Sequence, residues 1–480
     1  MPQIQLGAVD TIIVLAYFSC IVYIGYRAGK RRNDDPADFF LAGRTLTLPM
    51  FVATLVSTWY GGILGVGEFS YSYGISNWVV FGLPYYIFAV LFAMFLAKRI
   101  RATNLATIPD KLAASFDRKT SLLGSVLTFI LVTPAAYVLM LGVLLQLMFG
   151  LNLAVSVILA TFLTIWYLYS GGFRSDVWVN AFEFIMMFAG FAAMVFFAVR
   201  SYGGFGFIEV NVPELHLTWH GGNNLQYIAV WFFIALWTLV DPAFHQRCYA
   251  AKDGTTAQRG ILVSVLFWFC FDFLTTLTGL YARATLPGLD QPMFSYPLLA
   301  EITLPAVAKG LFYVGLLATI MSSLSSLMFI SAMTVGNDIA GRLTRSPQRD
   351  RVVSRWTKIG LVLGGGFAVG LALLVPSVVS IWYTIGTTII PGLLIPVMAG
   401  YFENLKIPSS YAFNAMMFGW MTSTVSLLYG IFNSEGEGAM YWLGLEPMYP
   451  GLAVSILIWA AGRLHLHRTK GDSNSAVPSL

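Results

Sequence analysis

Apolar segments of about 20 residues recur along the whole chain, and each is long enough to cross the hydrocarbon core of a bilayer as a helix. Of the 480 residues, 57% are hydrophobic and only 11% are charged, which argues against a large water-soluble domain. The sequence therefore predicts an all-α polytopic membrane protein with about 13 transmembrane helices. The predicted spans are centred on residues 9–26, 47–72, 77–97, 121–149, 153–170, 177–199, 225–246, 260–282, 306–336, 356–375, 379–402, 410–432 and 449–464.

The positive charges indicate how these spans are oriented. With the N-terminus outside the cell, all but Arg200, Arg283 and Lys309 of the 28 Lys and Arg residues fall in cytoplasmic connections. We therefore expect an integral protein of the cell membrane, plasma or inner, with a cytoplasmic C-terminus. The net charge of +5 follows from this topology and does not indicate binding of nucleic acid. The lipid bilayer is an expected partner, and nucleic acid is not.

Motifs of membrane enzymes are missing from the sequence. It contains no H-E-x-x-H metal motif, no G-x-S-x-G nucleophile motif and no P-loop. The 5 histidines are scattered and show no metal-ligand spacing. We therefore predict that the chain is not an enzyme and that its function lies within the membrane.

Four serines stand close together in the otherwise apolar stretch 307–332. On a helix Ser322, Ser325 and Ser326 share one face, and Ser323 lies about 100° round the axis. A sodium ion beside this face would meet two hydroxyls and nearby backbone carbonyls, which are ligands that sodium favours. The alternative is that the serines allow close helix packing and hydrogen-bond the carbonyl four residues earlier.

Two predicted spans carry signals that interrupt a helix. The second contains the glycine-rich stretch 61–67, and the seventh ends with Asp241-Pro242. Transporters with inverted five-helix repeats place discontinuous helices five spans apart, and the freed carbonyls form solute and ion sites near the membrane midplane. The spacing of the two breaks favours this architecture, although glycines also serve plain helix packing.

The ionisable residues within predicted spans are candidates for a functional site. They are Glu68, Glu183, Asp241 and Asp272. A charge in the bilayer centre costs a few kcal/mol unless it is paired or faces water. Asp241 is interpreted as an ion-pair partner of Arg247, and Asp272 as a protonated packing residue or part of a polar network. Glu68 follows the glycine-rich stretch and is the most interesting of the four.

Several motifs occur together in the order found in one family of transporters. Over nearly its whole length the chain resembles the sodium:solute symporter family, whose members carry sugars, proline, pantothenate, sialic acids and other small solutes. The motifs that carry the resemblance are Asp38-Phe-Phe-Leu-Ala-Gly43-Arg44, Tyr169-Ser-Gly171-Gly172 with Trp178, Asp241-Pro-Ala-Phe-His-Gln246-Arg247 with Ala250-Ala-Lys252-Asp253, and the serine cluster Ser322–Ser326.

The resemblance implies a LeuT-like fold, an inverted repeat of five plus five helices with one extra N-terminal and two extra C-terminal helices. On this pattern residues 1–46 hold the extra N-terminal helix and a cytoplasmic loop, and residues 47–200 hold the first repeat. Residues 201–402 hold the second repeat, and residues 403–480 hold two C-terminal helices and a short cytoplasmic tail. The predicted spans match this arrangement in number.

The resemblance also implies a sodium site. In the family the ion contacts the hydroxyls of two adjacent serines, here Ser322 and Ser323, and a backbone carbonyl one turn earlier, here Thr319. Two carbonyls of the broken second span complete the site, and ungapped matching assigns them to Leu55 and Thr58. Sodium is therefore the expected coupling ion.

Some relatives bind a second sodium ion with the later serine pair, here Ser325 and Ser326, and an aspartate of the sixth span. This chain departs from that pattern, because Asn180 stands where the aspartate is expected. Glu183 lies one turn further along, and Asp176 lies one turn back. Without a carboxylate at position 180 a second ion lacks the charge that offsets its dehydration. We therefore predict one coupled sodium ion per solute.

The resemblance implies secondary active symport, in which sodium and a small polar organic solute bind together and are released inside by alternating access. The alternative is a proton-coupled carrier or a uniporter of the same fold that uses Glu68 or Glu183. The sequence does not identify the solute. The candidate solute-binding residues are Ser57, Tyr60, Gly62, Glu68, Tyr137 and Trp231, with Tyr85 and Tyr383 as further wall candidates.

Overall fold

The protein is built from helices. Among the described residues, ten helices are long and apolar enough to cross a membrane, or eleven when one bent helix pair is counted as a span. Within the described part of the chain, an isolated bridge joins Leu46 to Ala251 and no strand forms. The prediction of an all-α polytopic membrane protein is confirmed. The computed structural model describes residues 4–30, 36–344, 346, 348–433 and 441–475.

The described residues up to Asn211 form eleven α-helices and three shorter helical elements. The helices are α1 (Ala8–Gly29), α2 (Pro36–Leu41), α3 (Leu48–Trp59), α4 (Ile63–Tyr73), α5 (Leu83–Phe92), α6 (Lys98–Ala102), α7 (Ile108–Ser115), α8 (Arg118–Leu131), α9 (Ala135–Phe149), α10 (Leu153–Tyr202) and α11 (Phe205–Asn211). The shorter elements are a 3-10 turn at Ala42–Arg44 and π-helical stretches at Trp78–Gly82 and Ala93–Ala97.

The described part of the second half contains eleven more α-helices. They are α12 (Leu225–Ile234), α13 (Trp237–Val240), α14 (Pro242–Ala250), α15 (Gly254–Thr285), α16 (Ser295–Thr303), α17 (Ala308–Met333), α18 (Gly341–Leu343), α19 (Arg349–Leu374), α20 (Val378–Tyr401), α21 (Ser409–Phe432) and α22 (Met448–Ser475). The shorter elements are Glu214–Leu217, Pro292–Phe294, Thr334–Ala340, Glu403–Leu405 and Trp442–Gly444. Each predicted span corresponds to a helix, to part of a helix or to neighbouring helices, although residues 476–480 of the predicted tail lie outside the described ranges.

The second predicted span is broken, as its glycines indicated. The chain bends by 60° at the break between α3 and α4. No side chain fits at this break: a Cβ on Gly61 would lie 1.9 Å from Ser323 Oγ, and a Cβ on Gly62 would lie 2.0 Å from the Trp382 ring. Glycine therefore lets α17 and α20 approach the open backbone between α3 and α4.

The seventh predicted span is interrupted between α13 and α14. The Asp241 carboxylate accepts hydrogen bonds from the backbone N–H groups of Ala243 (2.7 Å) and Phe244 (3.0 Å), so Asp241 is the N-cap of α14. Arg247, which the sequence suggested as its ion-pair partner, pairs instead with Asp176. The carboxylate of Asp241 is thus needed to start a helix inside the membrane.

The fifth and sixth predicted spans join in α10, which contains a sharp turn. Gly172 has φ 61° and ψ −167°, far from helical values, so the chain changes direction there. A Cβ on Gly172 would lie 2.7 Å from the Phe39 ring. The part before the turn, Leu153–Trp166, is a short apolar helix, and the part after it, Gly172–Tyr202, is long enough to cross a membrane.

The second part of α10 packs closely against α17 in the core of the molecule. A Cβ on Gly190 would lie 3.0 Å from the Cα of Gly315, and a Cβ on Gly315 would lie 3.1 Å from the Cα of Gly190. Two backbones that meet at small residues are typical of membrane helix pairs. Nearly all of α17 is buried, so this pair forms the centre around which the polar clusters are placed.

We expect Gly315→Leu to lower the thermal stability of the purified protein in detergent, because the new side chain forces α10 and α17 apart. Overpacking of this kind costs about 1–3 kcal/mol. The matched control is Gly366→Leu in α19, where a Cβ meets nothing within 4 Å. Equal losses of thermal stability in the two variants would contradict the close packing.

Candidate functional site

A cluster of polar atoms lies where α3 ends, opposite the middle of α17. Ser322 Oγ donates hydrogen bonds to the carbonyls of Ser57 (2.9 Å) and Thr319 (3.0 Å). Ser323 Oγ donates to the carbonyl of Thr58. All five residues are buried. The two serines that the sequence singled out therefore meet the broken span directly.

The break explains why these carbonyls are available. The last carbonyls of a helix lack partners within the helix, and the chain leaves the helical path after Trp59. The atoms that meet here are neutral oxygens, which coordinate sodium at unwound membrane helices. Two residues of this span were predicted to bind sodium through their backbone carbonyls. One of them, Thr58, lies in the cluster. Leu55 contributes to the lining of the adjoining cavity, and the carbonyl that contacts Ser322 belongs to Ser57.

A cavity of about 120 Å³ lies beside this cluster. Four of the predicted solute-binding residues line it, namely Tyr60, Gly62, Tyr137 and Trp231. Thr58 belongs both to the cavity lining and to the serine cluster, so the two sites adjoin. An ion in the cluster and a solute in the cavity would therefore both contact the end of α3.

Three other predicted residues have different surroundings. The Ser57 hydroxyl donates a hydrogen bond to the carbonyl of Ala53 (2.9 Å) within α3. Glu68 in α4 is partly exposed and is not among the residues that line the cavity. Tyr383 donates a hydrogen bond to Glu446, just before α22. The structure thus does not bring these side chains into the cavity, whereas Tyr85 does line it.

Nine of the 20 described residues that line the cavity are aromatic, and five of these nine were not indicated by the sequence. Trp59, Phe81, Trp237, Phe244 and Trp382 come from five separate helical stretches and line it together. Aromatic residues form 15% of the chain, so no pattern of spacing marks these five. Trp59 stands close to the break at Gly61, and Trp237 and Phe244 stand close to the break at Asp241. This closeness is the one signal in the sequence that could have indicated these three residues.

Asp272 in α15 faces the same cavity. Its Oδ1 accepts a hydrogen bond from the Tyr60 hydroxyl, and its Oδ2 accepts one from the Tyr86 hydroxyl. The Tyr60 hydroxyl also lies 3.0 Å from Thr275 Oγ1. Of the two interpretations from the sequence, the polar network is the one that the structure contains.

A second polar cluster lies one turn further along α17. Ser325 Oγ donates to Asp176 Oδ1 (2.8 Å), and Ser326 Oγ donates to Asp176 Oδ2 (2.7 Å). Asn180 Nδ2 donates to Asp176 Oδ2 (3.1 Å) and to Ser326 Oγ (3.0 Å). The carboxylate that is absent at position 180 is therefore supplied one helical turn earlier, by Asp176.

The positive charge in this second cluster belongs to the protein itself. The Arg247 guanidinium donates to Thr58 Oγ1 (2.8 Å) and Ser326 Oγ (2.8 Å) and lies 3.5 Å from Asp176 Oδ2. It also lies 5.4 Å from the centre of the Phe173 ring. Both charged side chains are 0% exposed. Two charges at such depth are tolerable only because each has the other and additional hydrogen bonds.

Glu183 does not join the serines. It is buried, and its Oε1 accepts a hydrogen bond from the Tyr17 hydroxyl of α1 (2.8 Å). Its Oε2 has no hydrogen-bond partner within the described residues. The structure therefore brings Ser325, Ser326 and Asn180 together and leaves Glu183 apart from them.

The sequence matches a known family over most of its length. A family model described as the sodium:solute symporter family matches residues 39–419. At 23% identity the chain is similar to high-affinity choline transporter 1 of Drosophila melanogaster over 79% of its length and spans 64% of that protein. At 23% identity it is also similar to the sodium/pantothenate symporter of Escherichia coli strain K12, over 94% of this chain and 95% of that one.

Solved transporter structures share the fold. A Na⁺-coupled sialic acid symporter in a substrate-bound outward-open state superposes with a TM-score of 0.78 at 16% identity, covering 96% of this chain and 98% of the other. The inward-facing conformation of Mhp1 superposes with a TM-score of 0.52 at 13% identity, covering 92% and 95%. The LeuT-like fold expected from the sequence is confirmed.

Asp176→Asn and Arg247→Gln should each destabilise the purified protein, because each variant leaves the other charge buried without compensation. Losing one partner of a buried ion pair costs about 3–5 kcal/mol. In the double variant both charges are gone, so its loss of stability should be smaller than the sum of the single losses. Thermal unfolding in sodium-free potassium buffer measures all three variants. A double variant that loses the full sum would contradict the pairing.

Proposed function

Because the chain belongs to the sodium:solute symporter family and is a sodium-coupled secondary transporter, we propose that sodium binds between the end of α3 and α17. The observation that carries this assignment is the contact of two serine hydroxyls with carbonyls that the helix break leaves without a backbone partner. The proposed ligands are the carbonyls of Ser57, Thr58 and Thr319 and the hydroxyls of Ser322 and Ser323. The Ser57 carbonyl takes the role that sequence matching gave to Leu55.

The proposed site offers sodium no formal charge. Neutral oxygens replace the water around the ion without binding it too tightly, which suits an ion that must leave on the other side of the membrane. When sodium enters, the hydroxyl protons of Ser322 and Ser323 turn away from the carbonyls, and the oxygen atoms face the ion. Sodium then ties α3 to α17 and favours the helix arrangement that binds the solute.

The number of coupled ions follows from the second cluster. We assign one sodium ion per solute, because the Arg247 guanidinium takes the place of a second ion beside Ser325 and Ser326. It balances the charge of Asp176, and it would repel a sodium ion at the same position. The single-ion stoichiometry that the sequence attributed to Asn180 thus rests on Arg247.

The proposed cycle is alternating access. Sodium and a small polar organic solute bind, the five-helix repeats at residues 47–200 and 201–402 rock against each other, and both ligands are released inside. Residues 1–46 and 403–480 add the flanking helices. In the cell membrane, plasma or inner, the N-terminus lies outside and the C-terminus in the cytoplasm. Inward movement of one sodium ion gains about 2.3 kcal/mol per 100 mV of membrane potential.

The relatives leave the charge of the solute open. One is named for choline, which is a cation, and others are named for pantothenate and sialic acid, which are anions at neutral pH. These names support a small polar organic solute in the cavity beside Thr58. The proton-coupled carrier and the uniporter gain no support, since Glu68 is not among the cavity-lining residues and Glu183 contacts Tyr17.

Ser322→Ala and Ser323→Ala should each raise the sodium concentration for half-maximal binding by about tenfold or more, because a ligand lost from a dry site is not replaced by water. A scintillation proximity assay with radioactive sodium measures this concentration on the purified protein. The assay needs no solute. The matched control is Ser331→Ala in the same helix, whose buried hydroxyl has no hydrogen-bond partner within the described residues.

Unchanged sodium affinity in both Ser322→Ala and Ser323→Ala would place the ion elsewhere. A loss of the same size in Ser331→Ala would show that any buried serine of α17 affects binding, and it would also remove the assignment. The proposed site requires that the first two variants lose affinity and the control keeps it.

The wild-type protein should bind one sodium ion per chain at saturation, and Arg247→Gln should bind two, because loss of the guanidinium leaves the Asp176 carboxylate beside serine hydroxyls. Sodium should also stabilise this variant against heat more than it stabilises the wild type. Arg174→Gln, which removes a positive charge from an ion pair with Asp38, is the control and should still bind one ion. Two ions in the wild type, or one in Arg247→Gln, would contradict the assignment.

A further inference from the structure

The cavity beside the serine cluster carries negative charge on its wall. Asp241 and Asp272 line it, and none of the described lining residues is Lys, Arg or His. Arg247, although close to Asp241 in the sequence, is turned towards Asp176 and does not line the cavity. An anionic solute in this space would meet repulsion from two carboxylates and would find no basic side chain to receive it.

Both carboxylates are fixed as hydrogen-bond acceptors. Each oxygen of Asp272 accepts a hydrogen bond from a phenol hydroxyl, of Tyr60 or of Tyr86, which is the pattern of an ionised carboxylate. Asp241 accepts hydrogen bonds from two backbone N–H groups at the start of α14. The carboxylates are therefore held in position before a solute arrives, and binding does not have to order them.

Aromatic rings line the same cavity as these carboxylates. In one group the centre of the Trp59 ring lies 5.3 Å from Tyr85 and 5.1 Å from Phe244, at interplanar angles of 65° and 84°. In a second group Phe81 lies 4.7 Å from Trp231 at 66°. In an edge-to-face pair the ring that contributes its edge keeps both of its own faces free of its partner. Ring faces carry partial negative charge and attract a cation within about 6 Å.

We propose that the solute bound in this cavity is an organic monocation with an alkylated ammonium group, a substrate class that rests on the proposed sodium symport. The charge balance of the cavity indicates that the solute carries a single positive charge. Asp241 and Asp272 carry two negative charges, the sodium ion beside Thr58 contributes one positive charge, and one more gives neutrality. Arg247 does not enter this count, because Asp176 balances it.

The wall favours an alkylated head group over a primary ammonium group. A primary ammonium has three N–H donors, each of which needs an acceptor. In this cavity both oxygens of Asp272 already accept hydrogen bonds from tyrosines, and Asp241 Oδ1 accepts two from the backbone. Among the described residues this leaves Asp241 Oδ2 as the one carboxylate oxygen of the wall outside these hydrogen bonds, which is too few for three donors. A quaternary ammonium needs no acceptor, and its methyl groups pack against Trp and Tyr rings.

Three probes of one shape separate charge from size. The first is choline, and the second is the uncharged alcohol 3,3-dimethylbutanol, in which carbon replaces the nitrogen of choline. The third is the carboxylate 3,3-dimethylbutanoate, which has the same carbon skeleton and a negative charge. Isothermal titration calorimetry measures their binding to the purified full-length protein in sodium buffer. Choline should bind about tenfold more tightly than either isostere, or better, because only choline gains the cation–π and carboxylate attraction. Replacing sodium with potassium should weaken choline binding.

Variants test the wall itself. Trp59→Leu keeps an apolar side chain but removes a ring, so it should weaken choline binding by about tenfold, and Trp59→Phe should recover most of the affinity. Asp272→Asn should weaken choline binding as well. The control is Trp219→Leu, which changes a tryptophan that is 55% exposed and does not line the cavity. Sodium binding by each variant shows that it has folded.

Three results would overturn the cation assignment and leave the proposed sodium symport standing. They are equal affinity for choline and dimethylbutanol, tighter binding of dimethylbutanoate, and no binding of any probe by protein that still binds sodium. Equal loss of choline affinity in Trp59→Leu and Trp219→Leu would also overturn the aromatic site. Protein that folds but binds neither sodium nor choline would overturn the proposed function together with the substrate class.

Discussion

The ion pair of Arg247 and Asp176 is the interaction on which the arrangement of the central helices depends. Both side chains are 0% exposed, and neither charge would be tolerated alone at this depth. The guanidinium extends from α14 to Thr58 in α3 and to Ser326 in α17, and the carboxylate belongs to α10. Four helices are thereby fixed relative to one another. The proposed sodium and solute sites lie between these helices, so their geometry follows from the pair.

The two serine pairs of α17 differ in function because different backbone lies opposite each of them. Ser322 and Ser323 face the end of α3, where the carbonyls of two residues lack a backbone partner and accept hydrogen bonds from the serines. Ser325 and its neighbour face the carboxylate of α10. Thr58 joins the two clusters, since its carbonyl meets Ser323 and its hydroxyl meets Arg247. Movement at the break between α3 and α4 therefore affects the ion site and the ion pair together.

Features that depend on a local stretch of chain were predictable from the sequence, and features that depend on tertiary convergence were not. The spans, the break at Gly61 and the serine cluster each follow from consecutive residues. Arg247 is 71 residues from Asp176, and the distribution of positive charges assigned it to a cytoplasmic connection, whereas it is buried in α14. The five lining aromatic residues that the sequence did not indicate likewise come from five stretches that only the fold brings together, so Trp382 carried no signal of its own.

The charges of the cavity also determine where the membrane potential acts in the proposed cycle. With sodium and a monocation bound, Asp241 and Asp272 are neutralised, so the loaded carrier crosses the field with no net charge in the cavity. In the proposed cycle the empty carrier returns with these carboxylates in contact with the water that fills the empty cavity, and each one that is ionised contributes about 2.3 kcal/mol per 100 mV in a cell that is negative inside. The pair of Arg247 and Asp176 is neutral in both states and adds nothing. The voltage therefore drives the return of the empty carrier, and the residues that select a cationic solute are the ones that make this step sensitive to voltage.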